Sequence, residues 1–187
     1  MRPRVFIIPQ LRGKFSDIGE PDTLSEELRF VLEKRPDQFL GFIQYLWAFD
    51  GPRVTKSPSL VAEIQGLPAQ DLSTGDDALK LHETWVPLNV LREKVRHYME
   101  SPDKFPFVKL GTETPTDMAI HTQWSFLVKD LGVNSQDNMD FLLKILNSIE
   151  LSGDVLSSWQ TEKVFELYTA INTRLQLAIE GEKELAL

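Results

Sequence analysis

Cysteine is absent from the 187-residue sequence. Its absence excludes disulfide bonds, zinc sites built on thiolates, and catalytic cysteines. Histidine is nearly as scarce, because only His82, His97 and His121 occur, and they lie far apart along the chain. They match no ligand spacing such as H-x-x-x-H, so each is best explained as an ordinary surface or helix-cap residue. The sequence therefore predicts no metal site and no bound cofactor.

Positive charge is in deficit. The chain has 28 acidic residues against 20 Lys and Arg, which gives a formal net charge of -8. Nucleic-acid binding depends on clustered Lys and Arg side chains. The densest basic run, Arg92 to His97, also contains Glu93, and we interpret it as a solvated helix face. We therefore expect no nucleic-acid partner.

Long apolar runs are missing as well. Near the start of the sequence only Val5 to Ile8 are consecutively apolar. Such a run is too short for a signal peptide or a membrane span. We expect an intracellular protein, cytoplasmic or nuclear, with no membrane partner.

Catalytic motifs are the fourth absence. The segment "LSTGDD" contains a serine without the G-x-S-x-G pattern around it, and "GTETPTD" lacks the glycines and lysine of a phosphate-binding loop. We interpret Asp76 and Asp77 as turn residues, and Glu26 and Glu27 as the solvated first turn of a helix. The sequence thus predicts no catalytic and no cofactor-binding residue, and we expect that the chain is not an enzyme.

Amphipathic helices dominate what is present. Thr23 and Glu26 have the spacing of a capping box and predict a helix start. The following segment, from Pro36 to Phe49, is apolar over so much of its circumference that we expect a helix buried nearly all round, paired with the first as an αα-hairpin. Apolar stripes with a 3.6-residue period predict further helices from Pro87, at 124–131, at 139–149 and at 155–180.

Helix ends and buried residues are predicted from single positions. Thr116 or Asp117 is expected to cap one helix, and Ser135 or Asp137 the helix at 139–149. Gly132 has the position of a C′ glycine after the stripe of Trp124 and Leu127, both of which we expect to be buried. All four tryptophans lie on apolar stripes and are expected in the core: Trp47, Trp85, Trp124 and Trp159.

Alternating residues predict a small sheet. "SLVAEIQ" and "ALKLHETWV" alternate apolar and polar side chains, and residues 4–8 could add a third strand. The expected fold class is therefore α+β and α-rich, with about six helices and a small two- or three-stranded sheet. We expect residues 1–187 to form a single α-rich domain, in which 1–86 and 87–187 could be sub-lobes.

The order of "ETWVPLNVL", "FPFVKLG", "QWSFLVKDLGV", "MDFLLKILNSI" and "KVFELYTAI" resembles the internal region of large intracellular proteins of the sacsin and NO VEIN kind. The resemblance covers residues 79–175, with "LEKRPDQFLGFIQYLW" as an upstream continuation. Those proteins carry a gyrase/histidine-kinase-type ATPase domain. Its D-x-G-x-G loop and glycine-rich lid do not occur here, so the resemblance implies no nucleotide-binding residue. It implies a fragment or relative of the non-ATPase portion.

The expected function is that of a non-catalytic helical interaction or structural module, with a chaperone-like or scaffold role implied only by the resemblance. Its partner would be another protein or the remainder of a larger polypeptide. One alternative is a small-molecule-binding or enzymatic domain that uses the 111–124 loop and an aromatic pocket around Trp124. Another is a regulatory subunit of unrelated origin. In the C-terminal helix we expect the first half of the apolar stripe to be core and Leu175 to Leu187 to be frayed or to face a partner.

Overall fold

The computed structural model describes residues 30, 34, 36–67, 79–111, 115–149 and 157–185. In these residues the chain forms seven α-helices and two 3₁₀-helices, the latter at Leu81–Glu83 and Pro102–Lys104. The α-helices are α1 (Pro36–Val54), α2 (Pro58–Gln65), α3 (Asn89–Tyr98), α4 (Asp117–Gln123), α5 (Ser125–Lys129), α6 (Met139–Ser148) and α7 (Ser158–Leu185). The Thr23–Glu26 capping box, residues 4–8 and the acids at 76 and 77 lie outside the described residues.

The predicted sheet is wrong, because the described residues contain helices and no β-strand. The segment "SLVAEIQ" belongs to α2, where Pro58 occupies the first turn and Leu60 and Ile64 are buried one turn apart. A seven-residue run satisfies the period of a strand and of a helix equally well, and a proline at the first helical position decides for the helix. The segment "ALKLHETWV" contains a 3₁₀ turn, in which the Lys80 N–H donates to the Glu83 carboxylate at 2.8 Å.

The chain divides into two compact units. The first comprises Met1–Leu88 and Pro106–Ser135, and the second comprises Asn89–Phe105 and Gln136–Leu187. In the described residues the first unit therefore holds α1, α2, α4 and α5, and the second holds α3, α6 and α7.

Trp85 lies at the centre of the first unit and is buried. It forms isolated parallel β-bridges with Phe107 on one side and Asn134 on the other. The backbone N–H of Trp85 donates to the Pro106 carbonyl at 3.1 Å, and its backbone carbonyl accepts from the Val108 N–H at 2.9 Å. These single bridges satisfy buried backbone groups without the ladder of a sheet.

Helices α4 and α5 meet at Trp124, so the stripe predicted at 124–131 begins at a break rather than inside one helix. Trp124 and Leu127 are buried, as predicted. Gly132 has a φ of 69°, which confirms the predicted glycine after the helix. This turn directs the Val133 N–H onto the Leu127 carbonyl at 2.8 Å.

The second unit confirms the helices predicted from Pro87, at 139–149 and in the C-terminal segment. Helix α7 packs against α3 and α6. The Phe105 and Phe141 rings meet edge to face with centroids 5.1 Å apart, and both side chains are fully buried. Among the described residues of this unit, the other buried apolar side chains are Leu91, Val95, Met99, Leu142, Ile145, Leu167 and Ile171.

The capping of α6 differs from the prediction. Asn138 is the N-cap, because its side-chain oxygen accepts from the Phe141 N–H at 3.0 Å. The predicted cap, Asp137, instead forms ion pairs with Lys94 of α3 and Arg174 of α7, the latter with an Nη2–Oδ1 distance of 2.9 Å. Asp137 therefore links three segments of the second unit instead of starting one helix.

Candidate functional surfaces

A groove runs between α1 and the α4–α5 segment of the first unit. Its volume is about 570 Å³, which is in the range of small-ligand sites. Helix α1, which was expected to be buried nearly all round, opens one face here, where the Tyr45 side chain is 41% exposed. The described lining residues are all uncharged: Gly41, Gln44, Tyr45, Trp47, Ala48, Thr122, Gln123, Ser125 and Phe126.

The indole of Trp47 is fixed on this groove by two contacts. Its Nε1–H donates to the Asp130 carboxylate at 2.8 Å. Its ring stacks on Phe126, with centroids 5.1 Å apart and planes inclined by 21°. Phe126 in turn stacks with the buried Trp124 at 6.2 Å. The result is a row of three rings of which Trp124 is the inner member, so the aromatic pocket predicted around Trp124 is formed by its neighbours.

Gly51 leaves the space that the Trp47 indole occupies. A Cβ at position 51 would stand 2.6 Å from Trp47 Cδ1 and 2.9 Å from Nε1, closer than real side chains approach. The prediction from sequence missed this arrangement, because helical side chains usually lean toward the N-terminus and no local pattern points to a ring over a glycine one turn later.

Of the described residues in the 111–124 loop, only the last ones line the groove. Thr116 is the N-cap of α4, since its hydroxyl oxygen accepts from the Ala119 N–H at 3.3 Å, which decides between the two predicted caps. Thr122 and Gln123, from the end of α4, line the groove. Residues 112–114 lie outside the described part of the chain.

The three histidines are exposed and occupy separate positions. His82 Nδ1 lies 2.9 Å from the Gln65 carbonyl oxygen, and His121 is in the last turn of α4. His97 Nε2 lies 2.8 Å from the Glu166 carboxylate. In the described ranges, no group of three or more His, Asp or Glu side chains is placed to hold a metal ion.

An ionic cluster joins α3 and α7 in the second unit. Lys163 Nζ lies 3.1 Å from the Glu166 carboxylate and 3.3 Å from His97 Nε2. The Lys163 ammonium, and after it the His97 ring, holds the pKa of Glu166 below its ordinary value of 4.5. The cluster lies on the surface, where it resembles a helix-to-helix ion pair more than an acid–base pair enclosed in a cleft.

Helix α7 carries a strip of exposed apolar side chains. Leu167 and Ile171 are buried on its packed face. Roughly a quarter turn around the helix, at 100° per residue, lies a strip that we call the α7 seam and define as Phe165, Tyr168, Asn172, Leu175 and Ile179. Its apolar members are 74%, 56%, 48% and 46% exposed, in that order.

The remaining solvated face of α7 is mostly polar, with Glu162, Thr169, Thr173 and Gln176 exposed, and it also carries Leu177, which is 62% exposed. Four of the five large apolar side chains that are exposed on α7 therefore lie on one side of the helix. This agrees with the expected division of the stripe at Leu175 and Ile179. It departs from that division at Tyr168, which lies in the half of the stripe that was expected to be core and is 56% exposed.

No protein-family model, curated protein or solved structure matches the chain. The relation to sacsin and NO VEIN proteins therefore stays a prediction from the motifs. No helix in the described part of the chain is long and apolar enough to cross a membrane.

Proposed function

We propose that the chain is a non-catalytic helical interaction module that binds a helical protein partner, or a helix from the remainder of a larger polypeptide, through α7. The observation that carries the proposal is the α7 seam. Ten large apolar side chains are exposed in the described residues, and five of them are on this one helix. Contiguous exposed apolar surface of this kind is typical of an interface, whereas single exposed apolar residues are ordinary.

The unfolding energetics of seam variants test this proposal. In the triple variant Phe165→Gln, Leu175→Gln and Ile179→Gln, an interface surface loses no contact within the folded chain. We therefore expect the urea midpoint of unfolding to stay near that of the parent. Leu167→Ala, on the packed face of α7, is the matched control and should clearly lower the urea midpoint. A triple variant as unstable as Leu167→Ala would show that the seam belongs to the core and would refute the proposal.

A measurement of nucleotide binding tests the proposal that the module is non-catalytic. A chain without a glycine-rich phosphate loop should bind Mg-ATP no more tightly than millimolar, where the binding free energy is about 4 kcal/mol. Isothermal titration measures this directly. Micromolar affinity would contradict the proposal.

The groove supports a second candidate function, which is binding of a small uncharged aromatic molecule. The stacked Trp47 and Phe126 rings offer a platform, and Gln44 and Gln123 offer amide groups beside it. Indole is a suitable probe, with binding followed by ligand-observed NMR. Gly41→Leu should block it by filling the groove, because no heavy atom lies within 4 Å of a Cβ at this position. Equal saturation transfer to indole from parent and variant would refute this candidate.

A further inference from the structure

The spacing of the α7 seam is that of a coiled coil. Its positions are separated by three, four, three and four residues, which is the alternation of a and d positions in a heptad. In this register Phe165, Asn172 and Ile179 are a positions, and Tyr168 and Leu175 are d positions. All five are exposed, so the a/d surface is presented to solvent and is not covered by the described residues of the chain. A surface with this spacing fits another helix with the same spacing.

We propose that the partner of the α7 seam is the seam of a second copy of this chain, aligned parallel and in register. This inference rests on the proposed function, whose partner it names. An Ile at a combined with Leu at d favours two-stranded parallel coiled coils. A single Asn at an a position fixes the register and the number of strands, because each Asn side chain hydrogen-bonds to its copy on the other helix. Ile179, Leu175 and Asn172 provide these three features.

The antiparallel arrangement is less favourable for the same side chains. In an antiparallel pair the layers combine an a residue with a d residue. Asn172 would then pack against Tyr168 or Leu175 of the other copy, and its amide would be buried against rings or methyl groups. An unsatisfied buried polar group costs about 1–3 kcal/mol, so the parallel pair is preferred.

The charge distribution on α7 permits self-association of an acidic chain. The positions that flank the seam in a coiled coil, e and g, are uncharged between residues 164 and 178. The charged groups Lys163, Glu166 and Arg174 fall at positions that point away from a paired helix. The net charge of -8 thus places no like charges against each other in the seam itself. The flanking residues are Val164, Thr169, Ile171, Gln176 and Ala178.

The length of the seam predicts a weak, reversible dimer. From Phe165 to Ile179 it spans about 21 Å at 1.5 Å per residue. This corresponds to two heptads, and an interface of that length lies at the small end of specific protein–protein contacts. We therefore expect monomer at low micromolar concentration and dimer as the concentration approaches millimolar.

Sedimentation equilibrium over that concentration range is the first experiment. The parent chain should show a dimer whose fraction rises with concentration. Leu175→Gln with Ile179→Gln should shift the dissociation constant upward by at least tenfold. Leu177→Gln is the matched control, because Leu177 is 62% exposed on the same helix but lies off the seam, and it should leave the dissociation constant unchanged. Equal effects of both substitutions would refute the seam as the interface.

Cross-linking tests the orientation, and the absence of native cysteine makes it specific. Thr161 is exposed and occupies the d position before Phe165. In Thr161→Cys the two sulfurs meet in a parallel pair, so mild oxidation should give a disulfide-linked dimer in high yield. In the antiparallel pairs that set Asn172 against Tyr168 or Leu175, the two positions would be about 27 Å or about 38 Å apart at 1.5 Å per residue, and no cross-link would form.

The failures of the two proposals are distinguishable. A parent chain that stays monomeric at every concentration overturns the second copy as the partner. If the triple Gln variant is then as stable as the parent, the interaction module stands and its partner is a different helix. If that variant is unstable, the seam is core, and both proposals fall together.

Discussion

Helices α1 and α7 both place aromatic rings on a partly solvent-facing surface. The ring on α1 is held by its neighbours, whereas the rings on α7 are exposed. On α1, the Trp47 ring is stacked on Phe126, bonded to Asp130 and accommodated by Gly51. On α7, Phe165 and Tyr168 are 74% and 56% exposed. The difference comes from the residues around each ring and not from the ring itself. If the two surfaces bind as proposed, α1 binds through a preformed surface, whereas the surface of α7 is completed by association.

Shortening one side chain on each of the two faces of α7 should give the largest difference in the free energy of unfolding. Leu167 is fully buried, so Leu167→Ala should cost about 2–5 kcal/mol in the free energy of unfolding. Leu175→Ala, on the seam, should change it by less than about 0.5 kcal/mol in dilute monomer. Urea unfolding of the two variants measures both values. Similar losses would remove the distinction between the packed face and the seam.

Gly51→Ala tests how firmly α1 holds its ring. The added methyl group would crowd the Trp47 indole at a cost of about 1–3 kcal/mol. This is partly offset by about 1 kcal/mol from the better helix propensity of alanine, so we expect a net loss.

Gly41→Ala is the control for this substitution, because its Cβ meets nothing within 4 Å and the change should therefore stabilise the chain. Thermal unfolding distinguishes the two variants. An increase in stability for both would show that the indole moves aside freely, and that the α1 surface is not preformed.

The ion pairs of Asp137 tie the packed side of α7 to the rest of its unit. Asp137→Ala removes the ion pairs with Lys94 and Arg174. The side chains of both pairs are about two-thirds buried. We expect a loss of about 1 kcal/mol, the upper part of the range for such pairs. The loss should shrink with added salt, because salt screens the charges. A loss independent of salt would assign the effect to packing around the loop before α6.

The pH dependence of the Glu166 cluster should give the smallest effect. Lys163 and His97 lower the pKa of Glu166, so the folded chain prefers the ionised carboxylate. The resulting stabilisation is complete above the ordinary pKa of 4.5 and is lost as the pH falls through the lowered value. Glu166→Gln should therefore differ from the parent in thermal midpoint at neutral pH and converge with it in acid. A difference that persists in acid would exclude this ionisation as its cause.

The sequence predicted the long helices well, because their apolar stripes repeat over many turns. It also predicted the turn at Gly132 and the burial of Trp124 and Leu127, each of which depends on neighbours close in the chain. It failed at the sheet, since the short run at α2 fits both periods, and the bridges of Trp85 join residues far apart in the chain.

The candidate surfaces were less predictable than the helices. The groove depends on the contact between Trp47 and Asp130, which no local pattern encodes. The seam of α7 was predicted only at its C-terminal end. At Phe165 and Tyr168, whether a side chain faces the core or solvent depends on which quarter of the helix packs against α3 and α6, and that is a tertiary property.

The interleaving of the two units along the chain has a consequence for synthesis on the ribosome. Residues 89–105 belong to the second unit but are made between two parts of the first. The first unit closes only when Asn134 reaches Trp85, and α3 finds its helical partner α7 only after the C-terminal segment has been made. Neither unit can therefore finish folding while the C-terminal half is still inside the exit tunnel. Until then Leu91 and Val95 of α3 are exposed to solvent. Helix α3 is therefore the segment of the nascent chain that would most need a chaperone.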